Sequence, residues 1–222
     1  HWTMNSADTD GSTIRDRSAY DNHGTLNGVK TEKSGVVNEA FGFDSSSQDY
    51  IGSISVNNSY IDDEITVSAW VNPNSLSNTD FIGIVTEKYS PDNNDVVFEL
   101  FYDDNTGGYR AGFFDGNWHK VTGSSNEYVG EWAHIVGTYD GSSLKIYENN
   151  SETGSISDTA GLPSGDLDWE IGRRHDRYSD SSIYWDGKID DVRIYNRALS
   201  QSEVNQLYNF RGNSRKSQTT VV

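Results

Sequence analysis

The sequence predicts an all-β protein: a two-sheet antiparallel sandwich, of which jelly rolls are one kind, closed by one short C-terminal helix. Three observations lead there. Short runs rich in β-branched and aromatic residues recur along the 222 residues, with turn signals between them. Glycine outnumbers proline by 21 to 3, which suits many tight turns. Only one segment, Ser200 to Phe210, carries a clear helical pattern. A chain of this length can bury a full core as a single domain, expected over residues 1–210, with 211–222 as a tail or linker.

Strands are expected over Val36 to Asp44, Ile65 to Val71, Phe81 to Lys88, Val96 to Tyr102 and Arg110 to Phe114. Further ones are expected over Trp132 to Tyr139, Leu144 to Glu148, Leu167 to Ile171 and Ile189 to Tyr195. Asp140-Gly141 reads as the turn of a hairpin, and Asn27-Gly28, Asp115-Gly116 and Asp186-Gly187 punctuate similarly. In the last strand, period-2 alternation puts Ile189, Asp191, Arg193 and Tyr195 on one face and Asp190, Val192 and Ile194 on the other. Ser200 then stands as a helix N-cap with Glu203 as its capping-box partner. Val204, Leu207 and Tyr208 follow as the buried stripe. One core is expected to include Trp70, Trp132, Val136, Val192 and Ile194.

Composition narrows the function classes. The formal net charge of −17 argues against nucleic-acid binding, which needs a cationic footprint. No run approaches the ~18 to 20 apolar residues of a membrane span, so no membrane insertion is expected. The acids divide into 23 Asp and 11 Glu and the bases into 7 Lys and 10 Arg. Such an Asp-rich, Lys-poor surface suits a halophilic setting, where screening weakens self-repulsion; an ordinary acidic secreted protein is the alternative. Only 33% of residues are hydrophobic, yet 12% are aromatic, enough to fill a sandwich interior. Cysteine is absent, so redox does not decide the compartment; if the domain is extracellular, a bound metal would have to take the stapling role of disulfides. His1 already reads as strand interior, and the chain is expected to be part of a longer multidomain or surface protein.

The segment Tyr184 to Tyr208, a strand delivering a carboxylate followed by a clamping helix, resembles the end of the laminin-G-like jelly-roll family of the concanavalin A-like lectin and glucanase superfamily. The resemblance runs through His1-Trp2-Thr3-Met4, Asp16 to Gly28, Phe41-Gly42-Phe43-Asp44 with Asp49-Tyr50-Ile51, Ile65 to Pro73, and Trp132 to Gly141 leading into Leu144 to Tyr147. It implies an extracellular or cell-surface setting and a Ca²⁺ site. Calcium takes six to eight hard oxygens at about 2.3–2.6 Å. Carried over from the family, its ligands would be Asp190, Asp44 as a second carboxylate, and main-chain carbonyls near Met4 and Gly42. Residue by residue, Asp44 could equally cap a turn, and Asp191 reads as a surface acid beside Arg193.

A glycan-cleaving site is the enzymatic alternative. Asp166, Asp168 and Glu170 alternate onto one strand face, and glycoside hydrolysis needs two such carboxylates. Laminarinase-like relatives carry Glu-x-Asp-x-Glu there, and Asp166 departs from the first position. No Gly-x-Ser-x-Gly or helical His-metal spacing occurs, and His134 reads as a packed core histidine.

Aromatics give the best handle on ligands, because sugars stack their C–H faces on rings while polar groups satisfy the hydroxyls. Trp2, Trp70, Trp132 and Tyr147 lie in landmark strands and are assigned to the core. Tyr89, Tyr109, Trp118, Tyr178, Tyr184 and Trp185 are left in loop-like sequence. Tyr178 sits beside Arg173, Arg174 and Arg177, a cationic knot able to hold a carboxylate or sulfate, or merely to neutralise Asp168 and Asp180. The ligand-binding set is therefore Trp118, Arg173, Arg174, Arg177, Tyr178 and Trp185, with no catalytic residue assigned. A non-catalytic carbohydrate-binding or adhesion module, acting on a polysaccharide or cell-surface glycan, is the favoured reading. A structural surface-appendage domain and a glycan-cleaving enzyme are the alternatives.

Overall fold

The structure is a computed structural model and describes residues 1–32, 34–56, 61–76, 81–87, 96–163, 168–175 and 182–210. In chain order its strands are β1 (Thr9–Asp10), β2 (Thr13–Ile14), β3 (Gly24–Asn27), β4 (Lys30–Glu32), β5 (Ala40–Phe43) and β6 (Tyr50–Ile54). Then come β7 (Ile65–Pro73), β8 (Phe81–Glu87), β9 (Val96–Asp103), β10 (Gly108–Phe114), β11 (Trp118–Thr122) and β12 (Ala133–Tyr139). The last are β13 (Ser143–Glu148), β14 (Ser151–Ser157), β15 (Trp169–Ile171), β16 (Arg173–His175), β17 (Ser182–Tyr184) and β18 (Gly187–Tyr195), followed by helix α1 (Gln201–Asn209).

Two antiparallel sheets form the expected sandwich. One is ordered β1-β2-β3-β6-β15-β8-β9-β10-β11, the other β14-β13-β12-β7-β18-β5-β4, and β16–β17 form a separate hairpin. In β7 alternation decides the faces: Ile65, Val67, Ala69 and Val71 point into the main core, while Trp70 points outward and stacks on Tyr208 of α1 at 5.4 Å. The outer face of the seven-stranded sheet is apolar here because α1 covers it. Val136, Tyr147, Leu199, Val204 and Leu207 make a small second cluster beneath the helix. The expected single core is thus divided by the sheet: Val192 and Ile194 pack inside, Val136 beneath the helix, and Trp132 is only half-buried.

The helix begins as the sequence predicts. Ser200 Oγ accepts the Glu203 amide, and Glu203 returns a carboxylate oxygen to the Ser200 amide at 2.9 Å. Tyr109 and Trp185, expected in loops, are fully buried in the main core. Trp118 belongs to a strand, pairing Phe114 across the β10–β11 ladder.

Strict alternation fails in β18. Asp190 pairs with Trp70 and Arg193 with Ser68, so Asp191 and Val192 together oppose Ala69: a β-bulge, with Asp191 at φ 47°. The extra residue shifts the phase of the strand. Ile189 and Val192, three apart, both enter the main core, and Asp190 lies on the opposite face with Trp70 rather than with Val192 and Ile194. Asp191, expected at the surface, is buried; its Oδ1 lies 2.7 Å from His1 Nε2 and accepts Arg193 Nη2 at 3.0 Å.

Candidate functional site

Two places carry the predicted residues, and a third lies apart from them. The first is the β16–β17 hairpin. The chain leaves β15 at Gly172, whose φ of 80° suits glycine, and returns at Trp185, whose amide donates to the Gly172 carbonyl at 2.8 Å. The hairpin rests on β8: Thr86 Oγ1 donates to the Arg173 carbonyl at 2.6 Å, and a Cβ on Gly83 would stand 2.5 Å from that oxygen.

Arg174 is buried here. Its Nε donates to Glu99 Oε2 at 2.9 Å, and its guanidinium lies 5.0, 5.2 and 5.5 Å from the rings of Phe81, Phe101 and Trp118. Arg173 Nε donates to Glu170 Oε2 at 2.8 Å, a second arm reaches Oε1, and the guanidinium lies 3.5 Å above the Tyr50 ring. His175 Nε2 stands 3.1 Å from the same carboxylate. Burial pushes the Glu170 carboxyl up, but His175 and Arg173 outweigh it and hold it below its ordinary value. Trp118, Arg173 and Arg174 therefore gather at one sheet face. The two arginines there are engaged by Glu170 and Glu99 rather than by Asp168. Trp185 is withdrawn into the core, since the close of the hairpin points its ring inward. Arg177, Tyr178, Tyr89, Asp166 and Asp180 lie outside the described residues.

Asp190 marks the second place. Along one edge of β18, β5 pairs up to Ile189 opposite Phe41, and Trp2 bridges Val192 through bonds of 2.9 and 3.0 Å. Asp190 and Asp191 stand in the gap. The Asp190 carboxylate is fully buried, with Oδ2 accepting the amides of Val36 at 2.8 Å and Val37 at 2.7 Å. Among the described residues Oδ1 is buried without a hydrogen-bond partner. Burial, with the Asp191 charge added, pushes the group up to about 7. A cation beside Oδ1 fits this environment, which otherwise holds a buried acid with one orphan oxygen.

The family's proposed ligand set does not assemble around Asp190 as a whole. Asp44 is exposed and caps a 3₁₀ turn, accepting the Ser46 amide at 2.9 Å. Phe43 pairs with Gly187, so Asp44 lies level with Asp186, about 13 Å along the strand from Asp190 at the usual rise. One calcium ion cannot bind both. Gly42 lies opposite Lys188, about 7 Å along the strand from Asp190. Met4, buried at φ 53° two residues beyond the Trp2–Val192 bridge, stays at the Asp190 level. No group of three His, Asp or Glu side chains suited to a metal occurs among the described residues, so carbonyls and water would supply most of the oxygens.

Sequence reasoning missed the third place, a groove of about 650 Å³ between the 17–22 loop and the end of β18. Tyr20 stands on it with 64% of its surface exposed, and Asn22, Arg193, Tyr195 and Asn196 share the lining, with Val56 and Ile61 adding apolar surface. Asp16 ties the loop down, accepting the amides of Ser18 at 2.8 Å and Asn22 at 3.1 Å; Trp2 Nε1 donates to the Asn22 carbonyl at 2.9 Å. The signal that could have found it is the isolated Tyr20 within a polar, glycine-bearing loop.

Two packed antiparallel sheets with a helix clamped on one face define a jelly roll of the lectin and glucanase type. The chain belongs to the Laminin_G_3 family of the Concanavalin A-like lectin/glucanases superfamily, which matches residues 44–205. Among solved structures it is similar to domain 4 of AbnA, a GH43 extracellular arabinanase from Geobacillus stearothermophilus, in complex with arabinotriose. There the identity is 20%, the TM-score 0.66, and 83% of this chain and 87% of that chain are covered. It is also similar to the binding domain of Paraclostridial Mosquitocidal Protein 1, at 21% identity and TM-score 0.66, covering 90% of this chain and 50% of that one. The receptor binding domain of the botulinum neurotoxin C/D mosaic serotype gives 19% identity and TM-score 0.69, covering 93% and 49%. The chain thus spans about half the length of these toxin binding domains. No curated protein matches it in sequence.

Proposed function

We propose that this domain is a non-catalytic carbohydrate-binding or adhesion module of a secreted or surface protein, holding a polysaccharide or cell-surface glycan without cleaving it. The observation that carries this reading is the state of Glu170. The glycan-cleaving alternative needs it as a free acid or nucleophile, but it is buried and gripped by Arg173 beneath the hairpin. Asp168, just before the strand, accepts Ser55 Oγ at 2.7 Å. Support also comes from the arabinanase domain that holds arabinotriose on a similar fold, and from the toxin binding domains. No helix among the described residues is long and apolar enough to cross a membrane.

A structural Ca²⁺ at Asp190 is part of the proposal. Asp190 would hold the ion, with the main chain near Met4 as the second source of oxygens, and Asp44 and Gly42 would take no part. The ion would neutralise a buried carboxylate at the point where β18 changes partners.

The test is affinity electrophoresis through neutral, uronic and sulfated polysaccharides, paired with an assay for released reducing ends. Retardation without release is expected. Release of reducing ends that disappears in Glu170→Gln would replace this reading with the hydrolase.

A further inference from the structure

We propose that the groove beside Tyr20 is the glycan site and that it takes a neutral oligosaccharide; this rests on the carbohydrate-binding reading above and adds a place and a ligand class. The groove has the volume of a small-ligand site. Tyr20 presents a largely exposed ring at its edge, the partner that the C–H face of a sugar stacks on. Asn22 and Asn196 add side-chain amides, each both donor and acceptor, the combination that vicinal hydroxyls need. The loop holding Tyr20 and Asn22 is already fixed by Asp16 and Trp2, so binding need not order it.

Charge decides the class. Arg17 and Arg193 line the groove, which would suggest an acidic sugar. Each is already compensated: Arg17 pairs with buried Asp8, and Arg193 reaches both oxygens of buried Asp191 through Nε. The terminal ammonium of His1, which also lines the groove, is likewise paired with buried Asp16 at 2.8 Å, so the groove offers no surplus positive charge, and the chain as a whole stands at −17. An anionic polymer would be repelled, whereas a neutral one meets a ring, amides and fixed guanidinium N–H groups.

The experiment compares the wild type with Tyr20→Ala, Tyr20→Phe and Asn196→Ala by affinity electrophoresis. The gels contain linear arabinan or a β-glucan as neutral probes and polygalacturonate or carrageenan as anionic ones. Thermal melting checks that each variant is folded, which the exposure of both positions favours. Retardation by a neutral polymer is expected, weakened about tenfold in Tyr20→Ala and preserved in Tyr20→Phe. Wild-type retardation that both alanine variants keep would remove the groove as the site while leaving glycan binding intact. Retardation by the anionic gels alone would overturn the ligand class. No retardation in any gel would overturn both the inference and the reading beneath it.

Discussion

Arg174 and Glu99 form a buried ion pair, Nε to Oε2 at 2.9 Å, on the face of the nine-stranded sheet that the β16–β17 hairpin covers. The pair fastens a hairpin that, among the described residues, has no ladder partner in either sheet.

Breaking that pair from one side leaves a buried charge. Arg174→Met is expected to destabilise the domain by about 3–5 kcal/mol, whereas Arg174→Met with Glu99→Leu should recover most of the loss. Denaturant unfolding of the two variants checks it. Equal losses in the single and double variants would mean that ring packing around Arg174, not the ion pair, holds the hairpin.

Calcium is expected to raise the melting temperature of chelator-treated protein. An ion at 100 times its Kd adds about 2.7 kcal/mol, or about 5–10 °C for a chain of this size. Asp190→Asn should lose that increment and Asp44→Asn should keep it. A full calcium response in Asp190→Asn would remove the site from β18.

Gly172→Ala should cost at least about 2 kcal/mol. An alanine there would hold φ at 80° and set its Cβ 2.5 Å from the Phe43 ring. Gly107→Ala is the control, because it shares a positive φ but has open space around it. Thermal melting of both separates conformational strain from steric overlap, and the expected order is Gly172→Ala well below Gly107→Ala.

His119 ties β11 to the segment after β14, with Nδ1 2.6 Å from Asp158 and Nε2 3.1 Å from Asp115. Burial lowers its proton affinity, but the two carboxylates more than reverse this, and the net shift is upward. The protonated ring is therefore favoured in the folded state. Its contribution, about 1 kcal/mol or less, is complete below the unfolded value near pH 6.5 and is lost as the pH rises through the folded one. Melting temperature against pH should fall across this window in the wild type, and His119→Gln should flatten that slope.

The long strands and the helix were legible because their signals are local. Ile65 to Val71 alternates over its whole length, and Ser200 with Glu203 spells out a capping box. Strands β11 and β14 were not, because they lie at the sheet margins and mix polar residues with few apolar ones. The bulge at Asp191 was hidden for a physical reason: an inserted residue leaves the apolar alternation intact on either side and changes only its phase. That phase decided where Asp190 points. Trp185 was misplaced because its burial depends on Gly172 and the hairpin base, two contacts separated from it in sequence. Tyr20 was overlooked because its neighbours matched a family loop, and matching said nothing of exposure.

The placement of β18 bears on how the chain is made. It lies between β7 and β5 in the seven-stranded sheet and also bridges Trp2, so residues 2, 41–43 and 66–73 all wait for residues 187–195. During synthesis more than the first four fifths of the chain emerges with two strand edges open and no partner yet available to fill the space between them. Such non-local closure makes folding slow and leaves sticky intermediates. A net charge of −17 makes unfinished copies of this chain repel one another, which opposes association before the last strand is in place.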